Sequence, residues 1–431
     1  MRRIPRGLAV ALGAGLLLTA CSGGATEEPA ETPTETETAT EEPAEEGPVR
    51  GSEDLVIWTD DTKLATIQAI ADTYAAQEGI TVGVQAVTDT RSSFLTANEA
   101  GNGPDVLIGA HDWVGQLVAN GGIDPLQLSA DDLAGYSESA VRAASYDGQL
   151  YGLPYGVEAI ALYCNTEVVG DTTFASLDDA LAAGQAAVDA GTVESAMNLP
   201  VGENGDPYHM QPLFTSAGGY LFGLNEDGSY NPEDLGVDSE GGLAAGAKIA
   251  SLGESGQNVL RRSISGDNNI AMFAEGRAAC MISGPWALAD VRAGLGEDGF
   301  TIQPIPGFAG AGPAKPFMGA QLFYVASRGI NKAFAQDFIA NFVNTEETMQ
   351  ALYEGANLPP AMTAVRAGVT DTATDTFGSA ADGADPMPAI PAMDAVWQPL
   401  GIAYADIVGG GDPNAAMSAA ARQIRDAIAG S

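Results

Sequence analysis

Basic residues and histidines are scarce in this 431-residue chain. Against 57 Asp and Glu it holds only 18 Lys and Arg, which gives a formal net charge of −39. So large an acidic excess argues against nucleic acid or an anionic membrane surface as a ligand. The two histidines, His111 and His209, are far apart in the sequence and lack the spacing of zinc ligands. We therefore predict neither a metal site nor a cofactor.

The usual catalytic and nucleotide-binding motifs are missing as well. The sequence has no G-x-S-x-G, no P-loop, no G-x-G-x-x-G after a strand and no H-E-x-x-H. Paired carboxylates carry out glycosidic chemistry in some enzymes, but among 57 acidic residues such a pair arises by chance. The motifs thus predict no enzyme, and a secreted glycosidase or lyase stays open as the alternative.

The one long apolar run lies at the N-terminus, at residues 8–18, behind three arginines. It is shorter than the roughly 20 residues that a membrane-spanning helix needs, so it predicts a cleaved signal peptide over residues 1–20. The run ends in Leu-Thr-Ala before Cys21, which resembles the bacterial lipobox and implies a lipid on Cys21. An ordinary secretory signal that contains a cysteine is the alternative.

The segment after this run has an unusual composition. Residues 22–50 contain nine Glu and no aromatic residue. Such a segment cannot bury enough apolar surface to offset its ordering entropy, and like charges extend it. We expect residues 21–50 to be a disordered tether that carries the lipidated Cys21. This organisation predicts an extracytoplasmic protein, lipid-anchored to the outer face of the cell membrane.

Strand-like and helix-like patterns alternate in the remaining part, from about residue 51. The patterns predict strands at 54–58, 80–87 and 105–108, with helices at 64–77 and 94–100 between them. A β-α-β-α-β order implies a parallel sheet, which binds ligands at the carboxyl ends of its strands. The length of this part exceeds what one core usually supports, which predicts two lobes.

Two cysteines remain after Cys21, namely Cys164 and Cys280. An exported compartment permits a disulfide between them. Two buried free thiols, each acting as a small hydrophobic side chain, are the alternative.

Eight short motifs run through the folded part. They are DLVIW at 54–58, GPD leading to AHD at 103–112, YDGQLYGLP leading to VEA at 146–159, DPY at 206–208, AGGY at 217–220, SGPW at 283–286, KPF at 315–317, and IPAM leading to tryptophan at 390–397. In this order they resemble the maltose-binding protein group of the extracellular solute-binding proteins, which serve ABC sugar importers.

The resemblance implies an α/β, two-lobed, periplasmic-binding-protein-like (type II) fold. Each lobe would be a mainly parallel sheet flanked by helices, and hinge strands near 158–162 and 317–323 would join the lobes. The N-terminal lobe would take residues 51–157 and 320–368, and the C-terminal lobe 162–316 and 372–431. In such a fold the strands of Cys164 and Cys280 lie close together, so the resemblance also implies a disulfide or a close thiol pair.

The resemblance further implies a sugar site between the lobes. Carboxylates accept from two hydroxyls at once, and aromatic faces provide flat surfaces under sugar rings. The implied residues are Asp60, Lys63, Asp112 and Glu158 from the first lobe, and Asp206, Tyr208, Trp286 and Trp397 from the second. Apart from the resemblance, Asp112, Glu158 and Asp206 are explained equally well as solvated surface acids. The same holds for Trp286 and Trp397 as core or rim tryptophans.

This chain departs from the maltose binders at several positions. Gly109 stands where they carry a tryptophan, and Trp113 where they carry an arginine. Our hypothesis is that Trp113 replaces the lost stacking surface and that Arg91 or His209 replaces lost donors. The predicted ligand is therefore a malto-oligosaccharide or a related α-glucoside, with a trehalose-like or β-linked sugar as the alternative.

Together these features predict a monomeric substrate-binding lipoprotein that delivers its sugar to the permease subunits of an ABC importer. It would contact the membrane through the lipid only and would bind no nucleic acid. A lipoprotein that senses sugar without transporting it is a further alternative.

Overall fold

The computed structural model describes residues 49–226, 228–356 and 358–430. The chain divides into two units, residues 1–46 and 47–431, and all described residues belong to the second. The predicted signal peptide, Cys21 and most of the predicted tether therefore lie outside the described residues.

Fifteen strands lie in the described ranges. They are β1 (Leu55–Thr59), β2 (Val82–Ala86), β3 (Val106–Ala110), β4 (Ile123–Asp124), β5 (Ser145–Tyr146), β6 (Gln149–Leu150), β7 (Gly152–Glu158), β8 (Ala161–Asn165), β9 (Ser195–Asn198), β10 (Phe222–Leu224), β11 (Tyr230–Leu235), β12 (Ala278–Ser283), β13 (Phe300–Gln303), β14 (Phe317–Ala326) and β15 (Asp385–Pro386).

The α-helices of the same ranges are α1 (Leu64–Glu78), α2 (Thr90–Glu99), α3 (Val114–Ala119), α4 (Glu138–Ala143), α5 (Thr166–Val169), α6 (Leu177–Asp189), α7 (Pro207–Ser216), α8 (Glu240–Leu252), α9 (Gly266–Ala274), α10 (Leu288–Leu295), α11 (Lys332–Asp337), α12 (Glu346–Ala356), α13 (Thr363–Arg366), α14 (Thr372–Asp382), α15 (Trp397–Val408) and α16 (Pro413–Gly430). Short 3-10 turns cover His111–Trp113, Pro285–Ala287 and Pro391–Ala395, and a π-helical turn covers Phe338–Val343. No helix of the described part is long and apolar enough to cross a membrane.

The first sheet has the order β15-β14-β3-β1-β2, and β4 and β7 also pair with β14. Strand β1 is parallel to both β2 and β3, which confirms the predicted β-α-β-α-β unit. All five residues of β1 are buried because helices cover both faces of such a sheet.

The second sheet has the order β13-β8-β12-β9. Strand β12 is parallel to β9 and antiparallel to β8, and β8 is antiparallel to β13. Cys280 lies directly opposite Cys164 in the β12–β8 register, and a disulfide joins them.

The α/β class is as predicted, but both sheets are mixed rather than mainly parallel. The reason lies in the crossings between the sheets. Only Ala159 and Ile160 separate β7 in the first sheet from β8 in the second. A parallel return within one sheet needs a crossover of a dozen or more residues, so this short connection leads into the other sheet instead. Strand β14, which comes back from the second sheet, likewise pairs antiparallel with β3 and β7.

The chain passes between the two sheets three times, namely from β7 to β8, from β13 to β14, and from β15 towards α15. Helix α6 packs on β9 and β12 of the second sheet, and helices α8, α15 and α16 pack against one another in the hydrophobic core on the same side. Helix α14 packs on β7 and β14 as well as on β13, and its Phe377 ring lies 5.8 Å from that of Tyr163. This helix therefore contacts both sheets at the crossings.

The folded part begins with a buried ion pair. Arg50 lies 2.6 Å from the Oδ2 atom of Asp105, whose side chain is fully buried beside β3. The same carboxylate accepts hydrogen bonds from the backbone N–H groups of Val56 and Asn331. Residue 50, which the sequence placed at the end of the tether, is thus bonded to the first sheet.

Candidate functional site

The predicted residues of the first sheet lie just beyond the carboxyl ends of its strands. Asp60 follows β1, Asp112 lies in the 3-10 turn after β3, and Glu158 ends β7. The Lys63 ammonium forms an ion pair with Asp60. Burial opposes ionisation of Asp60, but the hydrogen bonds from Lys63 and Thr62 outweigh it and lower the pKa of this carboxyl. Asp60 is therefore ionised at neutral pH.

Glu158 occupies the point where the first sheet meets the crossing strands. It is paired in register with Gly319 of β14, and a Cβ atom on Gly319 would lie only 2.9 Å from its Cγ. Burial raises the pKa of the Glu158 carboxyl, with a further rise from Asp112, while Lys63 and Gln321 act against it. A glycine at 319 thus makes room for a buried, easily protonated carboxyl.

The second side of the site is formed by the start of α7. Asp206 caps this helix, because its Oδ1 accepts the backbone N–H of His209 at 3.0 Å and its Oδ2 lies 2.8 Å from His209 Nδ1. Burial raises the pKa of Tyr208, and the carboxylates of Glu158, Asp206 and Asp112 raise it further. Since Glu158 and Asp112 belong to the first sheet, Tyr208 faces the same space as the strand ends opposite.

Aromatic rings connect the second side into one surface. The Tyr208 ring lies 6.3 Å from that of Trp286 and 6.0 Å from that of Phe317, and Phe317 lies 6.0 Å from Trp397. Trp286 is 46% exposed, which leaves an indole face free for a ligand. The sequence analysis did not include Phe317 among the site residues, although its KPF motif was noted.

Two tryptophans fold back over glycines in the same way. A Cβ atom on Gly109 would lie 2.0 Å from the Trp113 ring, and one on Gly284 would lie 2.1 Å from the Trp286 ring. Each tryptophan is held in a 3-10 turn directly after a strand. The Trp113 indole therefore fills the space above residue 109, as the replacement hypothesis requires.

A pocket brings three more predicted residues together, since Arg91, Asp112 and Trp397 all line it. Gln116 and Asp394 line the same pocket but were missed from the sequence. Gln116 lies one helical turn after Asp112, and this spacing could have identified it. The predicted residues thus fall into neighbouring groups around this pocket, the aromatic surface and the Asp60–Lys63 pair.

His111 serves the framework. His111 is 1% exposed, its Nδ1 accepts the Ala320 N–H at 3.1 Å, and its Nε2 lies 3.2 Å from the Met387 carbonyl oxygen. Burial lowers the pKa of His111, although Asp112 acts against it, so the imidazole stays neutral. No cluster of three or more His, Cys, Asp or Glu in the described ranges is arranged to hold a metal ion.

A family model described as "Bacterial extracellular solute-binding protein" matches residues 69–378. The chain is 27% identical to the galactooligosaccharide-binding protein of Bacillus subtilis over 402 residues, which cover 88% of this chain and 90% of that protein. It is 26% identical to the maltooligosaccharide ABC transporter solute-binding lipoprotein of Streptococcus pneumoniae, over 96% of this chain and 95% of that protein.

The solved structures agree with this comparison. The extracellular solute-binding protein of Staphylococcus aureus in complex with maltose superposes with a TM-score of 0.78 at 26% identity, covering 87% of this chain and 97% of that chain. The fold is therefore the two-lobed fold of solute-binding proteins.

Proposed function

Because this chain belongs to the bacterial extracellular solute-binding protein family, we propose that it captures an oligosaccharide between its two lobes and delivers it to an ABC importer. The observation that carries the proposal is the aromatic surface of Tyr208, Trp286 and Trp397, which the buried ring of Phe317 supports. Its Tyr208 lies near enough to Glu158 and Asp112 of the opposite side for their charges to raise its pKa. Flat apolar rings opposite charged acceptors suit the C–H faces and the hydroxyls of a neutral sugar.

The proposed ligand is a malto-oligosaccharide or a related α-glucoside. Relatives named for maltooligosaccharide and the solute-binding protein solved with maltose support this choice. A β-linked sugar is the second candidate, because a relative of similar identity is named for galactooligosaccharide. The tryptophan above Gly109 provides a stacking surface for either ligand.

This proposal takes the predicted boundaries for the lobes, with residues 51–157 and 320–368 in one and 162–316 and 372–431 in the other. The segment of α14 and β15 lies at their junction, because β15 pairs with the start of β14 in the first sheet. The ligand closes them by contacting both, since only differential affinity for the closed state shifts the equilibrium. Asp60, Lys63, Arg91, Asp112, Trp113 and Glu158 would bind from the first lobe, and Asp206, Tyr208, His209, Trp286 and Trp397 from the second. Helix α14, which contacts both sheets, would be part of the junction.

A thermal-shift panel of maltose, maltotriose, maltotetraose, trehalose and a β-galacto-oligosaccharide tests the ligand. A sugar at 100 times its Kd adds about 2.7 kcal/mol to the free energy of unfolding. We expect the largest shift with the α-1,4-linked chains. A shift with the β-linked sugar alone supports the second candidate, and no shift with any oligosaccharide contradicts the proposal. Sugar chains that stay intact during prolonged incubation argue against an enzyme.

The proposal includes a lipid on Cys21 and a monomeric protein held on the outer face of the cell membrane beside its permease. A relative that is itself named a lipoprotein supports it. Replacing Cys21 by Ala should release the protein from the membrane fraction, whereas Ser22→Ala should leave it there. Equal membrane retention of both variants would refute the anchor.

A further inference from the structure

A second cavity borders the candidate site without containing any of the predicted residues. It has a volume of about 230 Å³ and is lined among others by Gln211, Tyr220, Tyr230, Lys315, Phe317 and Asp385. We call it the back pocket. Pro388 lines both this cavity and the pocket around Asp112 and Trp397, so the two cavities share a wall.

The back pocket is lined by an amide that has no partner among the protein groups. Gln211 of α7 is 8% exposed as a residue, and its side chain makes no hydrogen bond within the part of the chain that the structure describes. Its amide atoms are not among the fully buried unpaired atoms, so they open into the cavity and a ligand there can reach them. An amide both donates and accepts, so it can bind a hydroxyl in either direction.

Aromatic rings in the back pocket are held in place by their own hydroxyl groups. Tyr230 donates its hydroxyl to the Pro386 carbonyl at 2.6 Å, and Tyr220 donates to Asp234 at 2.9 Å. The Tyr220 ring also lies over Gly236, where a Cβ atom would approach it to 2.5 Å. With their hydroxyls occupied, these tyrosines present ring faces to the cavity.

The charges of the lining are already paired. Lys315 Nζ lies 3.1 Å from Asp385 Oδ2, and Asp385 also lies 3.5 Å from Arg142 of α4. A charged ligand would have to break this pairing, so the lining suits a neutral molecule. The volume is below the roughly 300–1,000 Å³ of drug-sized sites, which limits the occupant to about one small ring.

We propose that the back pocket binds a single neutral pyranose unit, with the rings of Tyr220 and Tyr230 against its C–H faces and the Gln211 amide on a hydroxyl. This site is separate from the cleft. Its proposed ligand contacts, Gln211, Tyr220 and Tyr230, are not ligand-binding residues of the cleft, so it does not rest on the function proposed above.

The test uses methyl α-D-glucopyranoside and methyl β-D-galactopyranoside as probes. Each is titrated against the full chain, and saturation-transfer NMR measures its binding. Trp286→Ala weakens sugar binding in the cleft and leaves the lining of the back pocket unchanged. Gln211→Met keeps the side-chain length but removes both hydrogen-bonding groups. We expect at least one pyranoside to bind Trp286→Ala as well as wild type, and Gln211→Met to weaken that binding about tenfold, the effect of one lost hydrogen bond.

The control is the thermal melt, which should show Gln211→Met about as stable as wild type, because the substitution breaks no hydrogen bond within the described residues. Pyranoside binding that is unchanged in Gln211→Met, or that disappears in Trp286→Ala, overturns the proposal. So does the absence of any pyranoside binding to Trp286→Ala at roughly 50 mM probe, the upper limit for a weak site. None of these results bears on oligosaccharide binding in the cleft, which the thermal-shift panel measures.

Discussion

Replacing Trp286 by Ala should weaken oligosaccharide binding about tenfold. The residue is 46% exposed, and with about 250 Å² for a whole tryptophan this leaves about 115 Å² accessible. A sugar ring covers one face, or about 60 Å². At about 25 cal/mol per Å², the loss is about 1.5 kcal/mol, which corresponds to about a tenfold higher Kd.

Isothermal titration calorimetry with the sugar that gives the largest thermal shift measures this effect. A matched control is Phe334→Ala, because Phe334 is an aromatic side chain of similar exposure, 37%, on α11 of the first lobe. We expect Phe334→Ala to bind as wild type does. Because about half of the indole is buried against the Tyr208 and His209 rings, its loss should also lower the thermal midpoint of the free protein, which a melt without sugar measures separately. A Kd within twofold of wild type in Trp286→Ala would refute the assignment of this ring to the sugar site.

Three further predictions concern the framework of the site. Gly109→Trp should lower the thermal midpoint, because its Cβ would lie 2.0 Å from the Trp113 ring, and adding Trp113→Arg should restore the midpoint. A Gly109→Trp variant as stable as the double variant would contradict this geometry. Glu158→Gln should raise the free energy of unfolding more at pH 7 than at pH 4. The pKa of the Glu158 carboxyl is raised above 4.5 on folding, so the folded protein loses stability as the pH rises through that range and the carboxyl ionises. Thermal melts of both proteins at the two pH values measure the difference. Reduction of the Cys164–Cys280 disulfide, which spans 116 residues, should lower the free energy of unfolding by up to about 4.7 kcal/mol through chain entropy. Thiol titration of the unfolded, unreduced protein should detect neither cysteine. The midpoint of urea unfolding should shift only when a reductant is added.

The start of the fold was predictable because its signals are local. The strand and helix patterns of residues 54–108 gave β1, α1, β2, α2 and β3 in the right order, with ends within a few residues except at α2. Helix α2 begins at Thr90 rather than 94, because the turn before it has Asp89 in a left-handed conformation that periodicity does not reveal. The mixed sheets were missed because the pairing of β14 with β3 and β7 joins segments more than 150 residues apart.

The candidate site shows the same limit. The position of Trp113 over Gly109 could be predicted, because the two residues are four apart in the sequence; its stacking role stays a prediction. Asp394, three residues before Trp397, was also within reach of the sequence. Phe317 was not, since its ring neighbours Tyr208 and Trp397 come from distant segments. The back pocket is the extreme case, because α7, the β10–β11 hairpin and β15 all contribute to its wall and no sequence pattern marks the unpaired Gln211.

The ion pair between Arg50 and Asp105 has a mechanical consequence. Any tension that reaches the folded part through its N-terminal segment is taken up at residue 50 by a buried carboxylate that is also bonded to the backbone of Val56 and Asn331. All of these groups belong to the first lobe, so the load does not pass through the three crossings. In the function proposed above, a molecule anchored through this segment would then be held at its attachment point while its lobes open and close as in an unattached one.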